Sequence, residues 1–486
     1  KGAKVKAAII GGGVIGGGWA SRFLLNGYDV KVYDPDKEAK RKLNAMLKNA
    51  KRSLPSLYDF ALPEEGKLTF CSTIEETVQG VKWIQESVPE RLNIKQNVYK
   101  EIQKFCDSDA IIASSTSGFK PSELNEGSNN PKQILVCHPF NPVYLLPLVE
   151  VVPSLLTDKN ITSDCCKILK DIGMKPLLVR KEIDAHIADR LIEAIWREAL
   201  WLVHDDIATT EEVDDAMKYA MGLRYALMGV FEHMRLAGGE QGMHHFLKQF
   251  GPCLKWPWTK LMDVPDLTDE FVAKIAKQSD NQAKGRSIQE LEMSRDDTLV
   301  GILRALRATE RAAGKTINEH NDDLNIDLGH DAELYLTVKR QIPQTWTDVN
   351  GHMNETNYLE VCSQATDKFM EMMGMDVDYI KTKQESYFTV ETHIRHLNEA
   401  KEGMLIIAKT QVLEASGKKL RLFHKLETDG GILVATGEHM LLHVSLKTRA
   451  SCLPSKKIAE HLDQLYKKHS KLLLPEGAGR SVGYKG

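Results

Sequence analysis

No apolar run in this sequence approaches the ~20 residues that a membrane-spanning helix requires. Cysteine is scarce and unpaired in pattern. There are eight, with no CxxC spacing and only Cys165 and Cys166 adjacent, which argues against a disulfide framework or a thiolate metal site. Thiols kept as small core residues in a reducing cytoplasm fit that pattern. Excess charge of either sign is absent too. The formal net charge is −3 although 27% of residues are charged, so neither nucleic acid nor an anionic membrane is indicated as a partner. Internal repeats and low-complexity tracts are missing, and the opening K-V-K-A-A-I-I lacks the layout of a signal peptide. What remains is a chain of 486 residues, 42% hydrophobic, with room for roughly three domains of about 150 residues.

The stretch with the densest chemistry is Val136–Val152, V-C-H-P-F-N-P-V-Y-L-L-P-L-V-E-V-V. It reads as a strand, a Pro-rich turn and a second strand. His138 ends the first strand and Glu150 sits inside the second, so antiparallel pairing would bring them together. A carboxylate beside an imidazole fixes its tautomer and stabilises the imidazolium, which makes a general base. A structural His–Glu pair inside a sheet satisfies the same pattern.

Upstream, the strand Lys4–Ile10 runs into Gly11-Gly12-Gly13-Val14-Ile15-Gly16, which fits G-x-G-x-x-G at Gly11, Gly13 and Gly16. A helix follows, and a second strand, Tyr28–Tyr33, ends at Asp34. Strand, glycine loop, helix and acid in that order predict a dinucleotide site, with backbone N–H groups facing the pyrophosphate. Asp34 would bond the ribose hydroxyls and repel a 2′-phosphate, favouring NAD. Strand and helix continue to alternate through Val81–Glu86, Leu92–Phe105 and Ala110–Ser114. The hydroxyl-rich loop Ser114–Gly118 stands at the carboxyl end of that last strand, where open α/β sheets bind ligands. Ser117 either contacts a substrate oxygen or only caps a turn. From Asp184 to about Ala313 the pattern is helical, with four tryptophans more typical of a core or interface than of a ligand box.

Residues 4–315 resemble the 3-hydroxyacyl-CoA dehydrogenase superfamily. The likeness rests on the glycine loop, V-P-E-R-L-N-I-K (Val88–Lys95), S-S-T-S (Ser114–Ser117), H-P-F-N-P-V (His138–Val143) and Glu150. It implies an α/β Rossmann domain over 1–182 and an all-α dehydrogenase C-terminal domain over 183–318. It further implies that His138 is the catalytic base, that Glu150 orients it, and that Ser117 and Asn141 hydrogen-bond the substrate oxygen and the His loop. Glu90 and Lys95 would line the cofactor and substrate cleft. Members that use coenzyme A carry Asn where Asp189 stands, and another Asn where Ser115 stands. R-K-E-I-D-A-H-I-A-D-R and L-K-W-P-W-T-K-L-M-D-V-P instead resemble the branch acting on free hydroxy acids, L-carnitine dehydrogenases above all. On that likeness, Asp189 and Trp196 would face a trimethylammonium group, which prefers negative charge and aromatic faces.

An Asn/Asp-rich linker is expected over 319–332. The next domain, 333–450, opens with a strand, then W-T-D-V-N-G-H-M-N and a helix with Tyr358, Cys362, Ala365, Phe369 and Met372 on one face. Four alternating segments follow, an α+β layout. D-V-N-G-H-M-N-E-T-N-Y-L resembles hot-dog thioesterases of the 4-hydroxybenzoyl-CoA type, which implies catalytic roles for Asp348, His352 and Asn354. Asp348 as a plain helix-entry cap is the competing reading. Residues 451–486 are expected to be a final helix and a flexible tail. Together the two resemblances imply a bifunctional carnitine-degrading homodimer. Its substrates would be L-carnitine and an acyl-CoA, with no metal. Alternatives are a gulonate-type or 3-hydroxyacyl-CoA dehydrogenase with a broad thioesterase, or a crystallin-like NAD-binding protein of low activity.

Overall fold

A strand buried on both faces reads as a continuous apolar run rather than an alternating one. Lys6–Ile10 (β1) is such a strand: Ala7, Ala8, Ile9 and Ile10 are all buried in the computed structural model, which describes residues 6–325 and 333–483 apart from 262, 264 and 265. β1 belongs to an eight-stranded sheet with Asp29–Tyr33 (β2), Leu68–Phe70 (β3), Trp83–Glu86 (β4), Ile111–Ser114 (β5), Ile134–Pro139 (β6), Leu148–Pro153 (β7) and Lys175–Leu178 (β8). The order is β3-β2-β1-β4-β5-β6-β7-β8, parallel except between β6 and β7. The short β3 has no counterpart in the sequence reading. The carboxyl ends of β1, β4 and β5 therefore share one edge, where the glycine loop, the acids after β4 and the Ser114–Gly118 loop converge.

The helical part carries the long helices Ala188–His204 and Ile288–Ala308, the latter opened by a capping box of Ser287 and Glu290. Large apolar side chains stay exposed there, including Leu191, Ile192 and Ile195.

The second sheet is wholly antiparallel. Tyr335–Gln341 (β9), Glu385–His396 (β10), Leu405–Ser416 (β11), Lys419–Thr428 (β12) and Leu433–Ser445 (β13) run in the order β10-β13-β12-β11-β9. The helix Glu355–Met372 lies on this sheet and buries Tyr358, Cys362, Ala365 and Phe369 on the face expected from their spacing, with Met372 half-buried at its end. This is the hot-dog arrangement.

Two compact units result. The first holds the chain up to Leu54 together with Pro63–His320; the second holds Pro55–Leu62 and the chain from Asn321. Pro55–Leu62 joins the second unit through Arg340, whose buried guanidinium bonds Tyr58 O and Asp59 Oδ1 (both 3.3 Å) and Gln364 Oε1 (2.9 Å). Ala61 N donates to Lys339 O alongside. No pattern in the sequence marks this excursion.

Two further differences concern the ends of that unit. The helix Ala312–Leu324 continues into the stretch expected to be linker, while 326–332 lie outside the described residues. The tail expected to be disordered is held as far as it is described: Gly479 N donates to Glu438 Oε2 (2.7 Å) and Arg395 Nη1 to Glu476 O (3.1 Å).

Candidate active site

The glycine loop is a cradle that only glycine can build. Gly11 has φ +98°, and a Cβ on Gly16 would fall 1.8 Å from Gly11 O. A Cβ on Gly13 would meet nothing within 4 Å, so that position stays open at the start of the helix Val14–Leu25. Asp34 closes the loop from β2: its Oδ2 accepts Gly12 N at 2.6 Å and its Oδ1 accepts Asp36 N at 2.7 Å. Open backbone N–H groups at a helix start, with a carboxylate at the end of the next strand, suit a dinucleotide.

Beneath the same edge lies a polar cluster that the sequence reading did not anticipate. Glu86, fully buried at the end of β4, accepts from Lys95 Nζ (2.8 Å), Ser114 Oγ (2.7 Å), Val88 N (2.9 Å) and the Tyr99 hydroxyl. Burial, then the Glu86 charge, pushes the Tyr99 hydroxyl well above its usual range. Lys95 also reaches Val88 O (3.2 Å) and Glu90 Oε2 (3.2 Å), and Thr116 Oγ1 donates to Glu90. Lys95, expected to line the cleft, is thus turned inward at 1% exposure, and its ammonium holds the loops in place. Glu90 stays exposed at the rim. An acid at a strand end carries no sequence signal for partners nine, thirteen and twenty-eight residues away.

His138 and Glu150 are direct partners in the antiparallel β6–β7 register. His138 Nδ1 lies 3.1 Å from Glu150 Oε1, and Glu150 Oε2 accepts Ile187 N (2.8 Å) and Ala188 N (3.1 Å) at the start of the helix Ala188–His204. Burial raises the Glu150 carboxyl, but the bonds from His138, Ile187 and Ala188 outweigh it and the net shift is downward. An ionised Glu150 favours the His138 tautomer with its proton on Nδ1 and a lone pair on Nε2.

Asp189 Oδ2 stands 3.7 Å from that Nε2. Burial, reinforced by Glu150, raises the Asp189 carboxyl, with His138 opposing. Trp196, two turns along the same helix, is 53% exposed. Ser117 and Asn141 are exposed and make no hydrogen bond among the described residues, so both are free to meet a ligand.

His186 was not singled out from sequence. It is fully buried in a left-handed conformation (φ 54°), its ring is 5.5 Å from that of His138, and its Nε2 donates to Thr116 O at 3.2 Å. Burial lowers its pKa. A histidine following Ala185, also at positive φ, was a signal in plain view only once the backbone was known.

In the second unit the D-V-N-G-H-M-N segment forms an exposed turn before the helix Glu355–Met372. Asp348 Oδ1 accepts Asn350 N at 2.8 Å; bonds from the Asn350 and His352 backbones lower its pKa. Asn354 caps the helix through Thr356 N (3.1 Å), and His352 Nε2 pairs with Glu399 at 3.1 Å. Among the described residues no group of His, Cys, Asp and Glu could hold a metal ion, and no helix is long and apolar enough to cross a membrane.

Comparisons with known proteins match three successive segments of the chain. Residues 6–183 match the model of the 3-hydroxyacyl-CoA dehydrogenase NAD-binding domain, 186–269 that of the 3-hydroxyacyl-CoA dehydrogenase C-terminal domain, and 342–462 that of the thioesterase-like superfamily. The fold and site thus define an NAD-dependent dehydrogenase joined to a thioesterase. A protein of Ruegeria pomeroyi named L-carnitine dehydrogenase/betainyl-CoA thioesterase is 56% identical over 98% of this chain and 99% of its own length. One of the same name from Rhizobium meliloti is 46% identical over 99% of each. The L-carnitine dehydrogenase of Oceanobacillus iheyensis is 50% identical over 61% of this chain and 97% of its own. Among solved structures, 5-formyl-3-hydroxy-2-methylpyridine 4-carboxylic acid 5-dehydrogenase superposes with a TM-score of 0.53 at 26% identity, over 63% of this chain and 99% of that one. This chain belongs to the L-carnitine dehydrogenase/betainyl-CoA thioesterase family.

Proposed function

We propose that this protein oxidises L-carnitine to 3-dehydrocarnitine with NAD and hydrolyses betainyl-CoA to glycine betaine and CoA. The observation that carries the reading is Asp189, a carboxylate set 3.7 Å from the base nitrogen of His138. A negative charge so close to the reacting carbon suits a substrate whose cationic nitrogen is only two bonds from it.

Bound NAD supplies the hydride acceptor. The loop Gly11–Gly16 and Asp34 hold it. His138 Nε2 takes the proton of the C3 hydroxyl, while Glu150 and Asp189 stabilise the imidazolium that forms. Ser117 and Asn141 hydrogen-bond the substrate oxygen. Glu90 borders the cleft and Lys95 fixes its floor. Asp189 and the Trp196 ring face the trimethylammonium group.

For the thioester, Asp348 activates water or attacks the carbonyl. His352 and Asn354 shape the turn, and N–H groups at the start of the following helix receive the oxyanion. The reading extends to a cytoplasmic homodimer, in which a second copy covers Leu191, Ile192 and Ile195; light scattering of the purified chain checks the assembly.

The decisive assay follows NADH formation with L-carnitine, D-carnitine, 3-hydroxybutyrate, 3-hydroxybutyryl-CoA and L-gulonate, for the wild type and His138→Ala. Turnover of L-carnitine alone, lost in the variant, is expected. Preference for the CoA ester or gulonate would sink the carnitine reading.

A further inference from the structure

The second unit carries an open cleft of about 980 Å³ away from the D-V-N-G-H-M-N turn, along the helix Glu355–Met372 and closed on the other side by β10 and β13. Asp59, Asp367, Glu371, Asp376 and Asp378 border it against one lysine, Lys368. Lys368 is engaged by Asn325 (2.7 Å) and Glu371 (3.3 Å), and Asp59 by Arg340. Asp367 has no hydrogen-bond or ion-pair partner among the described residues, and the surrounding walls raise its carboxyl through burial.

The inner wall adds an independent observation. His439 is 2% exposed and lines the cleft, yet its Nε2 has no hydrogen-bond partner among the described residues. Its Nδ1 is 3.3 Å from Thr392 Oγ1, another lining residue. Burial lowers its pKa to about 4, so the ring is neutral near pH 7 and adds no positive charge to the cleft. A buried nitrogen without a partner is costly unless a ligand or water satisfies it. Tyr387 and Phe60 contribute aromatic surface.

We propose that this cleft binds a quaternary ammonium compound, with Asp367 as the counter-charge, the Tyr387 and Phe60 rings beside the methyl groups, and His439 Nε2 meeting the carbonyl or carboxylate oxygen at the ligand's other end. A trimethylammonium group cannot donate hydrogen bonds and is held by negative charge and aromatic faces, which is what the wall offers. The same charge repels the phosphates of coenzyme A, so an acyl end can enter while the nucleotide stays outside. The choice of trimethylammonium over other cations rests on the betainyl reading above.

Two sources share this chemistry: the acyl group of a thioester, and a free betaine. Asp367 lies thirteen positions beyond the cap Asn354, which is ~20 Å along the helix. A betainyl group held at Asp367 is therefore remote from Asp348 in the same chain, so Asp348 as the thioesterase group favours a free betaine as the occupant of this cleft.

The test uses the full chain. Glycine betaine, tetramethylammonium and the uncharged isostere 3,3-dimethylbutyrate are titrated calorimetrically into the wild type, Asp367→Asn and Glu371→Gln. Betaine and tetramethylammonium are expected to bind the wild type and to weaken tenfold or more in Asp367→Asn, with a smaller loss in Glu371→Gln and no gain for the isostere. In parallel, kcat/KM is measured for betainyl-CoA and 3,3-dimethylbutyryl-CoA. A tenfold fall in their ratio in Asp367→Asn identifies the thioester's acyl end as the occupant; an unchanged ratio with weakened betaine binding identifies the free cation. Equal betaine affinity in the wild type and both variants overturns the proposal. A wild type that binds betaine but does not hydrolyse betainyl-CoA leaves the cleft standing and refutes the thioesterase reading instead.

Discussion

Glu150 serves His138 and the first turn of the helix Ala188–His204 with the same carboxylate: one oxygen meets the ring nitrogen, the other meets Ile187 N and Ala188 N. The carboxylate that orients His138 therefore also anchors the helix that brings Asp189 to it. Because the folded-state pKa of Glu150 is depressed, its contribution to stability is present above its unfolded value, near 4.5, and is lost as pH falls through the folded value. Glu150→Gln is expected to lower the melting temperature most near neutral pH, with the gap to the wild type closing in acid. Melting curves across that range check the sign; a gap that widens in acid would contradict it.

Asp189→Asn keeps the shape and removes the charge. A close charge pair at a binding site couples by about 1.5 kcal/mol or more, so KM for L-carnitine should rise roughly 10-fold or more, with a smaller effect on kcat and none on KM for NAD. Its raised pKa means that the wild type, too, loses affinity for carnitine at a higher pH than an ordinary aspartate would dictate as solutions are made more acidic. Steady-state kinetics against pH test both statements. An unchanged KM in the variant would remove Asp189 from substrate recognition.

Gly16→Ala would drive a methyl group into Gly11 O, a backbone atom with nowhere to retreat. We expect NAD affinity to fall below detection and the first unit to melt earlier. Fluorescence titration with NADH and calorimetric melting report the two effects separately.

Glu86 and Lys95 are both buried, so removing one leaves the other charged and incompletely paired. Glu86→Gln and Lys95→Met should each destabilise by about 3–5 kcal/mol, and the double variant should be less destabilised than their sum. Additive losses would show that the pair is not coupled.

Much of this molecule was legible before its fold was known, and the reasons are local. The glycine loop declares itself because close backbone approach admits no other residue, and His138 with Glu150 because an antiparallel hairpin pairs positions set by its turn. The helix Glu355–Met372 declared its buried face through its spacing. Glu86, His186 and the excursion Pro55–Leu62 did not. Each depends on partners brought together by tertiary structure: Ser114 and Tyr99 for Glu86, Thr116 for His186, Arg340 for the excursion. The D-V-N-G-H-M-N motif draws the eye to Asp348, whereas the acidic cleft beside Asp367 has no motif, because its walls come from two helices, three strands and a distant loop.

The course of Pro55–Leu62 also bears on how such a gene can be divided. Its two halves look separable at the polar stretch after Asn318, yet part of the later half is encoded before residue 63. An open reading frame begun at Glu333 would make Arg340 without Tyr58 O or Asp59 to receive its buried guanidinium. A break in the coding sequence and a break in the folded molecule thus fall in different places, and the fusion cannot be undone by a single cut.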